Sequence, residues 1–171
     1  MELEAYLEST DEPILNLGCG KTKDKKHFGI DILNFDCVDL VADLNEGIPL
    51  PAKTFKHIIG IDFLEHIDPK KNIQIMEEIY RVLDFEGQFH FMVPSTDGNN
   101  MGAFQDPTHY SFWNEKKFWY FMDDEFGQGF RTLYDINCRF IPLQLQTFWN
   151  EYNVTYVKGV FKKRDSGVVK I

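Results

Sequence analysis

The sequence lacks any run of about 18 apolar residues, the length a helix needs to cross a bilayer, so no membrane span is expected. Cysteine is scarce. Cys19, Cys37 and Cys138 stand apart with no C-x-x-C spacing, which argues against a disulfide framework or a zinc site. Reduced thiols in a cytosolic protein are the simplest account. The five histidines show no H-x-x-x-H spacing, so metal dependence is not expected. Basic charge is short as well. Residues 1–151 hold 13 basic against 26 acidic groups, a net of −13, while residues 152–171 carry +4. An acidic body repels a phosphate backbone and argues against a nucleic-acid substrate. The basic end reads either as solvated strand-edge lysines or as a contact for an acidic partner. The opening MELEAYLESTDE has no basic n-region and is not expected to be a signal peptide. No repeat, linker or low-complexity tract is found.

What remains is an ordinary globular composition over 171 residues, enough for one domain and one core. Hydrophobic residues make up 43% and charged residues 26%. The aromatic share of 15%, with 16 Phe, suggests a ring-rich core or a ring-lined pocket. Leu3, Tyr6 and Leu7 share a face at i, i+3, i+4 and predict a short helix over 2–9. Short β-branched or aromatic runs predict strands at Ile14–Leu17, His27–Ile32, Asp39–Leu44 and His57–Phe63. KKNIQIMEEIYRVL, residues 70–83, predicts an amphipathic helix with Ile73, Met76, Ile79, Tyr80 and Leu83 on one face. Gln88–Val93 is a fifth strand, closed by Pro94. A turn-rich insertion follows over about 96–122, with a helix at Glu115–Met122. Phe130–Phe140 and Val154–Lys162 read as two long strands. Strands alternating with connections predict an α/β sheet, mostly parallel, with the last two strands as an antiparallel edge hairpin. In such sheets ligands sit at the carboxyl ends of the strands.

Those ends are polar and glycine-rich. The first strand leaves through Gly18-Cys19-Gly20, where a ligand can approach the backbone closely. The second ends in Asp31, placed to accept ribose hydroxyls or simply to cap a turn. The third ends in Asp43-Leu44, the fourth in GIDFLEHI and the fifth in Val93-Pro94-Ser95. A nicotinamide-type G-x-G-x-x-G would need a third glycine opening a helix, and a P-loop would need G-K-[ST]; neither is present.

Taken in order, ILNLGCG, GIDI, VADL, IDFLEH and RVLDFEGQFHFMVP resemble the class I S-adenosylmethionine-dependent methyltransferases, specifically the small-molecule type with a Leu-Glu-His motif after strand four. The resemblance covers about residues 12–95. It implies a Rossmann-like methyltransferase sheet and S-adenosylmethionine as cofactor, with S-adenosylhomocysteine as product. By the same resemblance Gly18 and Gly20, with Cys19 between them, would lie beside the methionine part. Asp31 would bind the ribose, with Ile32 against adenine. Asp43 and Leu44 would bind the adenine, and Asp62 and Phe63 would line the methyl-donor end. Glu65 and His66 would be mainly structural. DPTHYSFW also resembles an insertion of some members.

Only KTKDKKH separates Gly20 from Phe28, too short for the usual crossover helix. Lys21 and Lys23, with backbone N–H groups, then either partly replace that helix near the cofactor carboxylate or are merely solvated. Helix 2–9 would cover the exposed flank. On the acceptor side, His109 is the candidate general base and Asp106 the group that orients it, with Pro107 fixing the turn. The structural alternative has Asp106 capping a turn and His109 in a structural hydrogen bond. Phe104, Tyr110, Phe112, Trp113, Trp119 and Phe121 are either a lid or core. The sequence therefore predicts a cytosolic methyltransferase acting on O or N of a small molecule. Its rival is a non-catalytic protein of the same fold that serves as a partner subunit. Oligomeric state stays open.

Overall fold

The computed structural model describes residues 1–98 and 102–164. In chain order the elements are α1 (Leu3–Glu8), β1 (Ile14–Leu17), β2 (Phe28–Asp31), β3 (Leu40–Val41), β4 (Phe55–Ile61), α2 (Asn72–Val82), β5 (Leu83–Pro94), α3 (Glu115–Trp119), α4 (Glu125–Tyr134), β6 (Phe140–Trp149) and β7 (Thr155–Lys163). The strands form one seven-stranded sheet in the order β3-β2-β1-β4-β5-β7-β6. The pairs β1–β2, β1–β4, β2–β3 and β4–β5 are parallel, and β7 is antiparallel to both β5 and β6. The architecture is the expected one: α/β, mostly parallel, with an antiparallel hairpin at one side. The lysines of residues 158–163 sit on an interior strand, because β6 and not β7 forms the edge.

The core lies on both sheet faces. Leu15, Leu17, Ile30, Ile58, Phe89, Phe91 and Phe161 are buried along the strands. Each such side chain contributes roughly 1.5–3 kcal/mol by leaving water. Helix α2 buries Asn72, Ile75, Met76, Ile79 and Val82. The face is therefore rotated from the expected one: Ile73 faces solvent, and Ile75 and Val82 take its place. The helix then runs straight into β5 at Leu83 without a loop.

The largest correction concerns residues 130–140, expected to be a strand. Residues 125–134 are helix α4, and the strand begins at Phe140. Asp124 caps the helix by accepting the Gly127 N–H at 2.7 Å. Phe126, Phe130 and Tyr134 stack along it at four-residue spacing, with centroids 4.7 and 6.3 Å apart. Gly127 is required there: a Cβ would lie 2.1 Å from the Met122 carbonyl oxygen. In β6, Pro142 removes a ladder donor, which an edge strand tolerates, and the register shifts between Pro142 and Gln144.

The crossover from β1 to β2 contains no helix, as its length requires. Helix α1 packs beside it. The Tyr6 ring is buried 5.6 Å from Phe28 and 6.3 Å from Phe55. Its hydroxyl accepts the Ile14 N–H at 2.8 Å and reaches the Lys26 carbonyl at 3.0 Å. Lys23 does not serve a cofactor carboxylate. Its ammonium donates to Asp39 and to the His27 carbonyl, both at 2.6 Å, and its stem lies over Gly29. Lys21 stands over the Phe35 ring at 5.2 Å. Among the described residues, no helix is long and apolar enough to cross a membrane.

Candidate active site

At the carboxyl end of β1 the chain turns through Gly18 (φ 61°) and Gly20 (φ 57°), left-handed values that cost other residues about 1–2 kcal/mol. The Gly20 N–H donates to Asp31 Oδ2 at 2.8 Å, and the Leu33 N–H donates to Asp31 Oδ1 at 2.9 Å. The Cys19 N–H donates to the Ile30 carbonyl at 3.1 Å. Asp31 thus ties the bend to the end of β2 with both oxygens. Cys19 is buried inside this junction, and burial, with Asp31 and Cys37 nearby, pushes its thiol up to about 11. It is a packed, unreactive thiol.

Above the bend there is room. A Cβ added at Gly20 would meet no atom within 4 Å, whereas one at Gly18 would touch the Phe63 ring at 3.0 Å. Four apolar side chains at the ends of β2, β3 and β4 stay exposed: Ile32 (61%), Leu33 (57%), Val41 (49%) and Ile61 (41%). Exposed apolar side chains of this kind are candidates for contact with a ligand or a partner. Asp43 is also exposed, and its Oδ1 accepts the Asn45 N–H at 2.9 Å to start a short 3₁₀ turn. Leu44 turns inward and is only 6% exposed. It belongs to the core and offers no face to a ligand, contrary to the expectation for this residue.

The end of β4 leads to the second half of the site. Asp62 takes a left-handed φ of 48°, and its N–H donates to the Met92 carbonyl at 2.9 Å. Leu64–His66 form a 3₁₀ turn whose carbonyls hold the insertion. The Leu64 carbonyl accepts Ser111 Oγ at 2.7 Å and Trp113 Nε1 at 3.2 Å. The Glu65 carbonyl accepts the N–H groups of Tyr110 and Ser111 at 2.8 and 3.0 Å. The Leu-Glu-His motif and DPTHYSFW, far apart in sequence, therefore form one unit.

Between them lies a cavity of about 550 Å³, lined by Asp62, Glu65, His66, Asp106, His109 and Tyr156, among others. A slightly larger hollow of about 600 Å³ lies beside α4, lined by Asp123, Arg131, Arg139 and Arg164, and includes no residue from the carboxyl ends of the parallel strands. The first cavity brings together three expected site residues: Asp62, Asp106 and His109. It is not an aromatic wall. Trp113 and Phe121 are buried in the core, while Phe104, Tyr110 and Phe112 point to solvent. Nor does Asp106 orient the imidazole. Its Oδ1 accepts the Thr108 N–H and hydroxyl at 2.8 and 2.6 Å, capping the turn, and its Oδ2 lies 3.9 Å from His109 Nε2. The orienting group is the Ala103 carbonyl, which accepts His109 Nδ1–H at 3.0 Å.

The cavity's carboxyl groups are perturbed. Burial raises the Asp62 pKa, although His109, His66 and a hydrogen bond from Tyr156 oppose it. Burial likewise raises Tyr156, reinforced by the Asp62 and Glu65 charges. Glu65 is 1% exposed, and burial pushes its carboxyl up to about 8, with its own backbone N–H opposing and the Asp62 and Asp106 charges adding. The resemblance implies a structural role for this residue, which its backbone fills, while its carboxyl group is buried beside the cavity. Nothing in the sequence marks that burial, which arises when residues 110–113 close over the motif.

The architecture has known counterparts. The Burkholderia thailandensis 1,6-didemethyltoxoflavin-N1-methyltransferase, solved with 1,6-didemethyltoxoflavin and S-adenosylhomocysteine, superposes with a TM-score of 0.63 at 18% identity, covering 95% of this chain and 75% of that one. An Archaeoglobus fulgidus SAM-dependent methyltransferase gives 0.65 at 15% identity, covering 94% and 89%. Haemonchus contortus phosphoethanolamine N-methyltransferase 2 gives 0.65 at 13% identity, covering 95% of this chain and 52% of that one. The fold is the class I methyltransferase fold. No family model and no curated protein sequence matches the chain. At these identities the structural likeness establishes the architecture.

Proposed function

We propose that this protein is an S-adenosylmethionine-dependent methyltransferase acting on O or N of a polar small molecule. The observation that carries this reading is the open space over the Gly20 bend, which Asp31 anchors, together with the exposed apolar side chains at the ends of β2, β3 and β4. Similar folds solved with S-adenosylhomocysteine support it. The residues present fit such a cofactor. Gly18 and Gly20 would admit the methionine part, Asp31 would meet the ribose, and Ile32 and Asp43 would face the adenine. Phe63 packs under the bend, and Asp62 opens from it into the cavity.

Bound there, S-adenosylmethionine supplies an electrophilic methyl group on sulfur. The chain's contribution is to position the acceptor, which in favourable systems accounts for about 7–11 kcal/mol of a barrier. His109 is held with Nδ1–H on a carbonyl, so Nε2 presents a lone pair to the cavity and can take the acceptor's proton. Asp62 and Tyr156 would grip a polar acceptor from the opposite side. The acidic lining favours a neutral or cationic molecule over a phosphate.

Isothermal titration with S-adenosylhomocysteine tests the reading: micromolar binding that Asp31→Ala abolishes is expected. Failure to bind would favour the rival, a non-catalytic partner protein of the same fold.

A further inference from the structure

We propose that Glu65, His66 and His109 form a binding site for one divalent transition-metal ion at the inner end of the 550 Å³ cavity. One ligand atom from each of the three side chains lies within 4.8 Å of the others. Atoms bound to one ion at about 2.1 Å stand roughly 3–3.5 Å apart, so side-chain rotations must draw them in by about 1 Å.

Both imidazoles are already set for coordination. His66 Nδ1 lies 3.1 Å from the Thr108 carbonyl oxygen, and His109 Nδ1 lies 3.0 Å from the Ala103 carbonyl oxygen. A carbonyl only accepts, so each Nδ1 carries the proton and each Nε2 is left with its lone pair; an ion bound there takes up the His109 lone pair, so the base role given to His109 above belongs to the metal-free protein. Metal-ligating histidines have this same arrangement, in which a backbone carbonyl fixes the tautomer and ring orientation. The two rings meet edge to face, with centroids 5.1 Å apart.

Glu65 supplies the independent evidence. Its carboxyl is buried, and among the described residues neither oxygen receives a hydrogen bond from another group. A buried polar group left unsatisfied costs about 1–3 kcal/mol, more when charged. Protonation does not remove the cost, because the acid proton also needs an acceptor. A cation does remove it. The Asp62 and Asp106 carboxylates beside the site add negative potential.

The donor set selects the kind of ion. Two imidazoles and one carboxylate suit zinc, cobalt, iron or nickel. Magnesium and calcium prefer all-oxygen sites. Three protein ligands leave positions open toward the cavity, where an oxygen or nitrogen of an entering molecule can bind. The three ligands are separated along the chain: Glu65 and His66 come from the turn after β4, and His109 from the insertion.

The test uses the full chain, stripped of metal, with Co²⁺ and Zn²⁺ as probes and no cofactor, so it stands apart from the methyl-transfer reading. One equivalent of Zn²⁺ should bind by calorimetry and raise Tm. Co²⁺ should give visible d–d bands without a sulfur-to-cobalt charge-transfer band. Glu65→Gln and His109→Gln should each weaken binding at least about 10-fold while retaining the wild-type circular dichroism. If Glu65→Gln does not fold, His109→Gln and His66→Gln carry the test. Absence of stoichiometric binding at tens of micromolar protein, binding unchanged in these variants, or a thiolate charge-transfer band that places the ion on Cys19 or Cys37, would each overturn the proposal.

Discussion

The Gly20 N–H donates to Asp31 Oδ2 at 2.8 Å, joining the bend after β1 to the end of β2. Because Leu33 N–H occupies the other oxygen, the carboxylate is both a clasp and the candidate ribose ligand. Asp31→Ala should cost about 1–3 kcal/mol in urea unfolding, from two N–H groups losing their acceptor, and should abolish S-adenosylhomocysteine binding.

The two glycines of the bend should respond differently. Gly20→Ala meets only open space, so it should fold with a loss of about 1–2 kcal/mol from backbone strain. Its methyl group nevertheless enters the proposed cofactor space and should weaken S-adenosylhomocysteine binding in calorimetry. Gly18→Ala adds contact with the Phe63 ring to the same strain and should be the less stable of the pair by denaturant melt.

Trp113 is fully buried and bonds the Leu64 carbonyl and Ser111 Oγ through Nε1. Trp113→Ala should cost about 3–5 kcal/mol. Hydrogen exchange should show the loss concentrated in residues 102–122 and the Leu64–His66 turn, since the ring pins one to the other.

The Lys23–Asp39 pair, 2.6 Å apart with both side chains nearly buried, should set part of the acid stability. Burial raises the Asp39 pKa, but the Lys23 ammonium and the Gly29 N–H outweigh it, and the folded value lies below the ordinary one. A depressed carboxyl stabilises above its unfolded pKa, near about 3.9, and that stability is lost as pH falls through the folded value. Asp39→Asn should therefore be less stable than wild type by about 3–5 kcal/mol at pH 7, with Lys23 left unpaired. The gap should shrink below about pH 4 in denaturant titrations at stepped pH.

Much of the fold is legible in short apolar runs. ILNL, FGID and the run ending in Val93-Pro94 are strands whose burial depends on nearest neighbours, and Gly18 and Gly20 mark the bend directly. The region 125–149 is not legible in the same way. Gly127 and Gly129 weaken the local helix signal, and the aromatic ladder of α4 gains its meaning only when Tyr120 packs on Phe130 at 4.4 Å. Pro142 masks β6 for a related reason, since only its place at the sheet edge makes it tolerable. Within the candidate site, Asp62, Asp106 and His109 were visible as strand-end and insertion residues. The cavity side of Glu65, the inward turn of Leu44 and the Ala103 carbonyl behind His109 were not, because each depends on contacts between distant segments.

Strand β7 follows β5 and β6 in sequence yet lies between them. Among the described residues β6 pairs with no strand but β7, so until residues 155–163 emerge β5 keeps an open edge and β6 has no partner. The strand that joins them also delivers Tyr156 to the cavity wall. A nascent chain halted before residue 155 therefore lacks one wall of the chamber, however complete the parallel part of its sheet.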